Sequence, residues 1–278
     1  MDEDTNKKEG GVEATINAVT GLAKAVPVYQ DAIQPAAKEL GKSLEVLAKT
    51  VNIALAPLSI MVWGYDQIRD FVSTKVTEKL SNTPEGEIVT PPSHIAGPAL
   101  ESLRYIGSIE ELRNLYANLL ASAMDSKTAE LAHPSFVEII RQLNPNEAKI
   151  LASLTHKATE PMIKIKNNRS DGKGGRDQVR HFTLIGSIDR AAQGFDIAPN
   201  IDNLIRLGLI SVPESYKLIE EGLYNELETH PFVQSVLEKI NSEEGRTGEI
   251  VHTAIMVTDF GRQFISTCVL DHRISREI

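Results

Sequence analysis

The chain has 278 residues, 41% hydrophobic and 24% charged, proportions that are typical of a soluble globular protein and a length that favours two domains. Its 29 Lys and Arg against 38 Asp and Glu give a net charge of −9, which disfavours broad nucleic-acid affinity because phosphate backbones are repelled. The single cysteine excludes an intramolecular disulfide framework and a multi-cysteine zinc site. The polar, acidic start shows no export signal, so we expect a cytoplasmic location.

The first part of the chain predicts long helices. Residues 1–11 are charged and glycine-ended, which is typical of a disordered terminus. Over 12–81 the apolar residues recur at steps of three or four, as on one face of an amphipathic helix. Pro57 interrupts this pattern and predicts a kink or break there, because proline removes a backbone donor.

A proline-rich stretch separates this region from a helical middle. Residues 82–98 contain four prolines and two glycines and lack periodicity, which predicts a linker, with helices resuming after Pro98. The helical middle is predicted over 99–156. Within it, Ser108 with Glu111 has the spacing of a capping box, and Asn144 followed by Pro145 is typical of a helix start.

Residues 157–272 have an α+β pattern, followed by a short tail at 273–278. Alternation in 161–167 and a strand-like run at 180–188 predict a hairpin with a long, mobile glycine-rich tip. The sequence LIRLGLI, followed later by VTDFGRQFI, resembles the end of a winged-helix domain. Gly208 is suited to a left-handed helix end and Thr258 to a helix cap. An inserted helical segment is predicted over 215–241.

These patterns together predict the fold class. We expect a mainly α protein with a smaller α+β part, made of long N-terminal helices, a helical middle and a C-terminal winged-helix-like domain.

No catalytic or cofactor motif is found in the sequence. The phosphate-binding P-loop, the H-E-x-x-H zinc motif and the G-x-S-x-G nucleophile elbow are all absent. The seven histidines do not pair at metal-ligand spacing. Cys268 lies at the start of an apolar run and is predicted to be a small buried core residue. Catalysis is therefore not supported, and neither a cofactor nor a metal is expected.

The predicted hairpin carries one candidate anion-binding patch. Six cations are set there against only Asp171 and Asp177, which marks a local positive surface in an acidic chain. The cations are Lys164, Lys166, Arg169, Lys173, Arg176 and Arg180. The alternative interpretation is a solvated hairpin, and the near absence of aromatic residues disfavours base stacking.

An uncharged segment at 51–65 is the second candidate surface. It is shorter than the roughly 20 residues that span a bilayer, but two aromatic residues stand at one edge, as in a membrane interface. The residues proposed to contact a membrane or a partner are Val51, Leu55, Leu58, Val62, Trp63 and Tyr65. The alternative is a helix buried on most sides.

Three sequences identify the chain as similar to a bacterial family. They are LAKTVNIALAPLSIMVWGYDQI at 47–68, EELRNLYANLLASAMD at 110–125, and HPSFVEIIRQLNPNEAKIL at 133–151. All three resemble the abortive infection alpha (Abi-alpha) family. The resemblance implies a role in bacterial defence against phage that halts or kills the infected cell, and it implies no known reaction or catalytic residue.

We therefore expect a non-enzymatic anti-phage defence protein that acts through its apolar helices on a protein partner, a phage component or a membrane surface. The exposed apolar stripe over 40–76 predicts a homo-oligomer, and activation is expected to bring the cytoplasmic protein to a membrane. Two alternatives stay open: a winged-helix DNA-binding regulator, and a cryptic nuclease or other enzyme.

Overall fold

The computed structural model describes residues 63–186 and 197–275. The predicted disordered start at 1–11, most of the predicted helical region 12–81 and the predicted kink at Pro57 lie outside the described residues.

The first described helix contains the last residues of the predicted apolar stripe. Helix α1 (Tyr65–Phe71) continues through a π-helical turn (Val72–Val76) into α2 (Thr77–Lys79). Four apolar residues recur at every fourth position and are at most 4% exposed. They are Ile68, Val72, Val76 and Leu80, the last following α2 directly. This helix therefore packs its apolar face into the protein's own core.

Four helices follow, α3 (Ser93–Ile106), α4 (Glu110–Ala123), α5 (Ser135–Arg141) and α6 (Pro145–Ser153). The prediction that helices resume after Pro98 is wrong, because α3 begins at Ser93 and includes that proline. One backbone bond is lost at Pro98, but burial of Ile95 and Ala96 stabilises the first turns.

Two predicted helix starts had different outcomes. The Asn144 cap is confirmed, since its Oδ1 accepts from the Glu147 N–H at 3.0 Å and Glu147 Oε2 accepts from the Asn144 N–H at 2.9 Å. The Ser108 capping box is wrong, because Ile109 occupies the cap position of α4. The Ile109 N–H donates to the Ile106 carbonyl at 2.8 Å, so a turn delays the start of the helix by one residue.

A four-stranded antiparallel sheet is formed by the described residues in the order β2-β1-β4-β3. The strands are β1 (Thr159–Arg169), β2 (Gly175–Phe182), β3 (Ile210–Ser211) and β4 (Arg246–Val257). The hairpin is confirmed, but its long tip is not. Pairing continues to Asn168 opposite Gly175, and the turn at 170–174 is tight because Gly172 and Gly174 adopt positive φ.

Five more helices follow β2 among the described residues. They are α7 (Ile197–Arg206), α8 (Asn225–Glu228), α9 (Pro231–Ser242), α10 (Asp259–Phe264), which continues into a π-helical turn (Ile265–Val269), and α11 (His272–Ser275). The segment predicted to be helical over 215–241 is helical only in α8 and α9. Gly222, at φ 85°, breaks the pattern before α8.

The predicted glycine and threonine of the C-terminal motif are confirmed and contact each other. Gly208 has φ 74° after α7. Thr258 Oγ1 accepts from the Gly261 N–H at 2.8 Å, which caps α10, and donates to the Gly208 carbonyl at 2.6 Å. The two halves of the motif are therefore held together by one hydroxyl.

Two apolar clusters lie against the sheet. The larger includes side chains from α1, α3–α7 and α10, and reaches from Ile68 to Cys268. The smaller one lies between α8–α9 and the face of β1 that carries Ile163 and Ile165. Cys268 is fully buried, as predicted, and its burial raises the pKa of the thiol. The described fold is mixed, mostly helical with a small antiparallel sheet.

Candidate functional surfaces

The six predicted cations lie on the β1–β2 hairpin but do not form a continuous positive patch. Lys166 pairs in register with Asp177 of β2 on one side and with Glu249 of β4 on the other. Arg176 lies opposite Asn167, and therefore on the other face of the sheet. Strand alternation thus separates side chains that are close in sequence.

Acidic groups lie beside three of the six cations. Lys166 has Asp177 and Glu249 as its register neighbours. Arg169 pairs with Asp171 at 2.9 Å, and Arg180 with Asp202 of α7 at 2.5 Å. At the hairpin tip, the Ser170 N–H donates to the Gly245 carbonyl. These acids lower the positive charge of the hairpin.

The predicted membrane or partner segment is described only at its edge. Val51, Leu55, Leu58 and Val62 lie outside the described residues, as does the side chain of Tyr65. Trp63 packs against the helical core. The backbone N–H of Trp63 donates to the Arg104 carbonyl at 3.1 Å. The centroid of its indole ring lies 5.5 Å from that of the Phe71 ring and 5.9 Å from the Arg113 guanidinium carbon. The segment is therefore attached to the core through its only tryptophan.

Within 63–186 and 197–275, none of the helices combines the length and the apolar character needed to cross a membrane.

Helix α7, which the winged-helix hypothesis makes the recognition helix, is occupied on two sides. Asp202 bonds Arg180 and His181 of β2. Three other polar side chains of α7 form hydrogen bonds with residues at the α5–α6 turn. Asn200 bonds Asn144 at 2.8 Å, Asn203 bonds Glu147 at 2.9 Å, and Arg206 bonds Gln142 at 2.9 Å. This face has the contacts of an internal helix rather than of a helix that reads DNA.

A Ser–His–Asp arrangement that sequence reasoning missed lies inside the protein. Ser122 Oγ is 3.3 Å from His272 Nδ1, and His272 Nε2 is 3.2 Å from Asp125 Oδ2. His272 and Asp125 are fully buried, Ser122 is 1% exposed, and the serine hydroxyl donates to the Thr267 carbonyl at 3.1 Å. Desolvation lowers the pKa of His272. Because the serine lies in the packed interior and its proton is engaged elsewhere, the arrangement joins α4 to the C-terminal residues rather than activating a nucleophile.

A second missed feature is an exposed surface around Ile219, which we call the Ile219 surface. It consists of residues 217–225, Lys157, the start of β1 at Thr159–Pro161, Glu228 of α8 and His252 of β4. Two open clefts of about 310 and 510 Å³ lie here, and Ile219 lines both of them. The side chain of this residue is 94% exposed, which is unusual for an isoleucine next to concave clefts.

A buried tyrosine holds this loop on the sheet. The Tyr224 hydroxyl donates to the Thr253 carbonyl and accepts from the Leu218 N–H, both at 2.9 Å. Its ring is stacked on that of His252, with centroids 4.0 Å apart and planes at 4°. His252 Nε2 lies 2.5 Å from Glu228 Oε1. Burial raises the pKa of Tyr224, so its hydroxyl stays protonated as the loop requires.

The clefts of the Ile219 surface are acidic. Glu160, Glu220, Glu221 and Glu228 line them, against Lys157 and Lys217. Lys157 is paired with Glu160 at 2.9 Å, which leaves the acidic excess beside Ile219. The carboxylates do not form a metal site: within the described ranges, no three His, Cys, Asp or Glu side chains are placed to share a metal ion.

The sequence signal for this surface is weak. Leu218 and Ile219 stand next to two glutamates in a run that has helical composition, and only Gly222 marks the break. The partners that shape the clefts come from β1 and β4, which are far away in sequence.

Comparisons with known proteins bear on the family of the chain. No curated protein matches it. Among solved structures, it is similar to an uncharacterized protein from the hydrocarbon-degrading marine bacterium Alcanivorax borkumensis SK2, at 14% identity and a TM-score of 0.33, covering 52% of this chain and 96% of that one. A family model described as abortive infection alpha matches residues 64–268, which span the helical core and the sheet and include two of the three resembling sequences in full. The chain belongs to the abortive infection alpha family.

Proposed function

We propose that this protein is a non-enzymatic anti-phage defence protein of the abortive-infection type, which acts on a protein partner or a membrane surface through the apolar segment 51–62. The docking of Trp63 is the observation that carries the proposal. The described core holds Trp63, the residue that follows this segment, by a backbone hydrogen bond and two ring contacts. Membership of the family supports the defence role.

Part of the predicted apolar stripe is buried and is not available to a partner. Ile68, Val72 and Val76 pack in the core of the protein itself. Self-association of the protein, which we also propose, therefore has to use apolar residues that precede Trp63. The same residues would reach a membrane, to which we propose that the cytoplasmic protein moves on infection.

The test replaces Leu55 and Val62 with Asp in the full chain. The two new carboxylates should abolish protection against phage, because moving a charged side chain into an apolar contact with a partner or a membrane has a large desolvation cost. The matched control is Tyr105→Asp with Ser81→Asp, which adds the same charge at two exposed positions of the core. Tryptophan fluorescence reports whether Trp63 is still docked.

Three readouts decide the outcome. We expect the double Asp variant to lose protection while its Trp63 fluorescence stays unchanged. The control should keep full protection. Fractionation of infected cells should place the wild-type protein, and not the double Asp variant, with the membrane or with a partner complex. Protection that survives the two charges would overturn the assignment of 51–62 as the effector segment.

A DNA-binding role is not favoured by the described residues. The polar side chains of α7 make internal contacts, and Arg169 and Arg180 of the hairpin are ion-paired with acids. We interpret the winged-helix-like part as a module for protein contacts. A gel shift with duplex DNA at low salt distinguishes the two roles, and tight binding would favour the DNA-binding alternative.

A further inference from the structure

We propose that the Ile219 surface binds a basic segment of a partner protein, in which apolar residues contact Ile219 and flanking Lys or Arg side chains enter the two acidic clefts. This is a separate site from the segment proposed above as the effector. It points to the chemistry of a partner that the defence protein recognises.

The apolar part of the argument rests on Ile219. Ile219 is 94% exposed, whereas Tyr224 in the same loop is only 5% exposed. The loop is held by the two hydrogen bonds of the Tyr224 hydroxyl, one to Leu218 and one to β4. An isoleucine held outward on an anchored loop presents a fixed apolar contact, and an apolar residue that becomes buried at the centre of an interface contributes much of its affinity.

The two clefts that Ile219 lines supply the shape. Their volumes of about 310 and 510 Å³ fall within the range of roughly 300–1,000 Å³ that is typical of binding clefts. Leu223 and Pro161 line the larger cleft, and such apolar walls suit the methylene stem of a Lys or Arg side chain.

Charge selects the occupant. Glu220 borders both clefts, and Glu221 and Glu228 border the smaller one. These carboxylates attract ammonium and guanidinium groups and repel phosphate, so a basic polypeptide is favoured over a nucleic acid or an anionic lipid surface. A second copy of this chain is a poorer match, because Arg169 and Arg180 of its hairpin are already ion-paired.

The experiment measures binding of a synthetic peptide to the purified full chain by fluorescence anisotropy. The probe is a capped peptide of alternating Arg and Leu, and its counterpart carries Glu in place of Arg. Two variants disrupt the surface, Ile219→Asp and Glu220→Lys with Glu221→Lys. Their matched controls are Ile274→Asp, at another exposed isoleucine, and Glu243→Lys with Glu244→Lys, at exposed positions on the turn before β4.

We expect the basic peptide to bind and the acidic peptide not to bind. Each disrupting variant should weaken binding by about tenfold or more, whereas each control should change it less than about twofold, and raising the salt from about 50 to about 300 mM should weaken it further. Equal binding to disrupting and control variants, equal binding of both peptides, or no binding of the basic peptide would overturn the proposal. A wild-type oligomer that dissociates on Ile219→Asp would also overturn it, by showing that a second copy covers the surface. None of these outcomes depends on residues 51–62.

Discussion

At the scale of single residues, the hydroxyl of Tyr224 determines where an exposed loop stands. It bonds both Leu218 in the loop and Thr253 in the strand beneath. Because the phenol is buried and stacked on His252, its position is fixed by packing as well as by hydrogen bonds. The apolar tip at Ile219 is therefore presented by a rigid support rather than by a free loop.

His272 gives the interior a dependence on pH. Its pKa is lowered from 6.5, first by desolvation, while hydrogen bonding to Asp125 and the charge of Asp271 oppose the shift. Lys79, which pairs with Asp271 at 2.9 Å, lowers the pKa further. The native state thus keeps this imidazole neutral at a pH where the unfolded chain already binds a proton.

We predict that the free energy of unfolding falls as the pH is lowered through the ordinary histidine pKa near 6.5. The contribution of His272 is fully present above this pH and is lost as the pH falls towards the lower pKa of the folded state, because protons then favour the unfolded chain. In the variant His272→Gln, whose amide group has a donor to offer Asp125 but does not titrate, the free energy of unfolding in urea should depend less steeply on pH between about pH 7.5 and about pH 5.5.

The control for this prediction is His94→Gln, at an exposed position in α3. It should leave the wild-type slope in place. His181, whose pKa is also lowered first by desolvation, contributes in the same direction, so the slope of the His272→Gln variant should be reduced rather than abolished. An unchanged slope would show that His272 does not carry the effect.

At the scale of elements, the contact between the end of α7 and the start of α10 joins two parts of the chain that lie 50 residues apart. Thr258 both caps α10 and bonds the carbonyl of Gly208. Gly261, in the first turn of α10, lies directly against the backbone of Leu209. A side chain at this glycine has no room, which explains why the motif pairs a capping threonine with a glycine three residues later.

We predict that Gly261→Ala destabilises the protein by about 2 kcal/mol or more, because the added methyl group would overlap the Leu209 carbonyl, which is backbone and cannot rotate away. Thermal unfolding followed by circular dichroism measures the loss. The matched control is Gly245→Ala, where a methyl group meets no neighbour and the cost is limited to the positive φ of that residue. A melting temperature for Gly261→Ala equal to that of the wild type would contradict the close contact.

Features that depend on a few adjacent residues could be predicted from the sequence. The Asn144 box, the Thr258 cap and the left-handed Gly208 all belong to this class, because a helix end is determined by its own few side chains. Features that depend on strand register could not. Asn168 donates to Glu249, 81 residues later, and the same register places Asp177 and Glu249 beside Lys166. The Ile219 surface and the buried Ser–His–Asp arrangement likewise need side chains from distant elements.

At the scale of the whole molecule, the larger apolar cluster connects parts of the chain on both sides of the proline-rich stretch. It contains Ile68 and Leu80 before that stretch and Cys268 near the end of the described chain. Ionic contacts join the same two ends, since Lys79 of α2 pairs with Asp271, and Glu78 lies 3.9 Å from Arg273. Because the residues before the proline-rich stretch and those near Cys268 are buried in one cluster, each group packs only when the other is in place.

We therefore predict that the described part of the chain unfolds in one cooperative transition. Fluorescence of Trp63 reports on the N-terminal end of the cluster, and far-ultraviolet circular dichroism reports on the helices as a whole; the two denaturation curves should coincide. Leu80 is 2% exposed. Replacing it in the variant Leu80→Ala should lower the free energy of unfolding by about 2–5 kcal/mol, as expected for a buried leucine, and should shift the midpoints of both curves together. If 82–98 separated two independent domains, the Trp63 curve alone would shift and the helical signal would keep a second transition at its original midpoint. That outcome would contradict a shared core and would place a domain boundary at the proline-rich stretch.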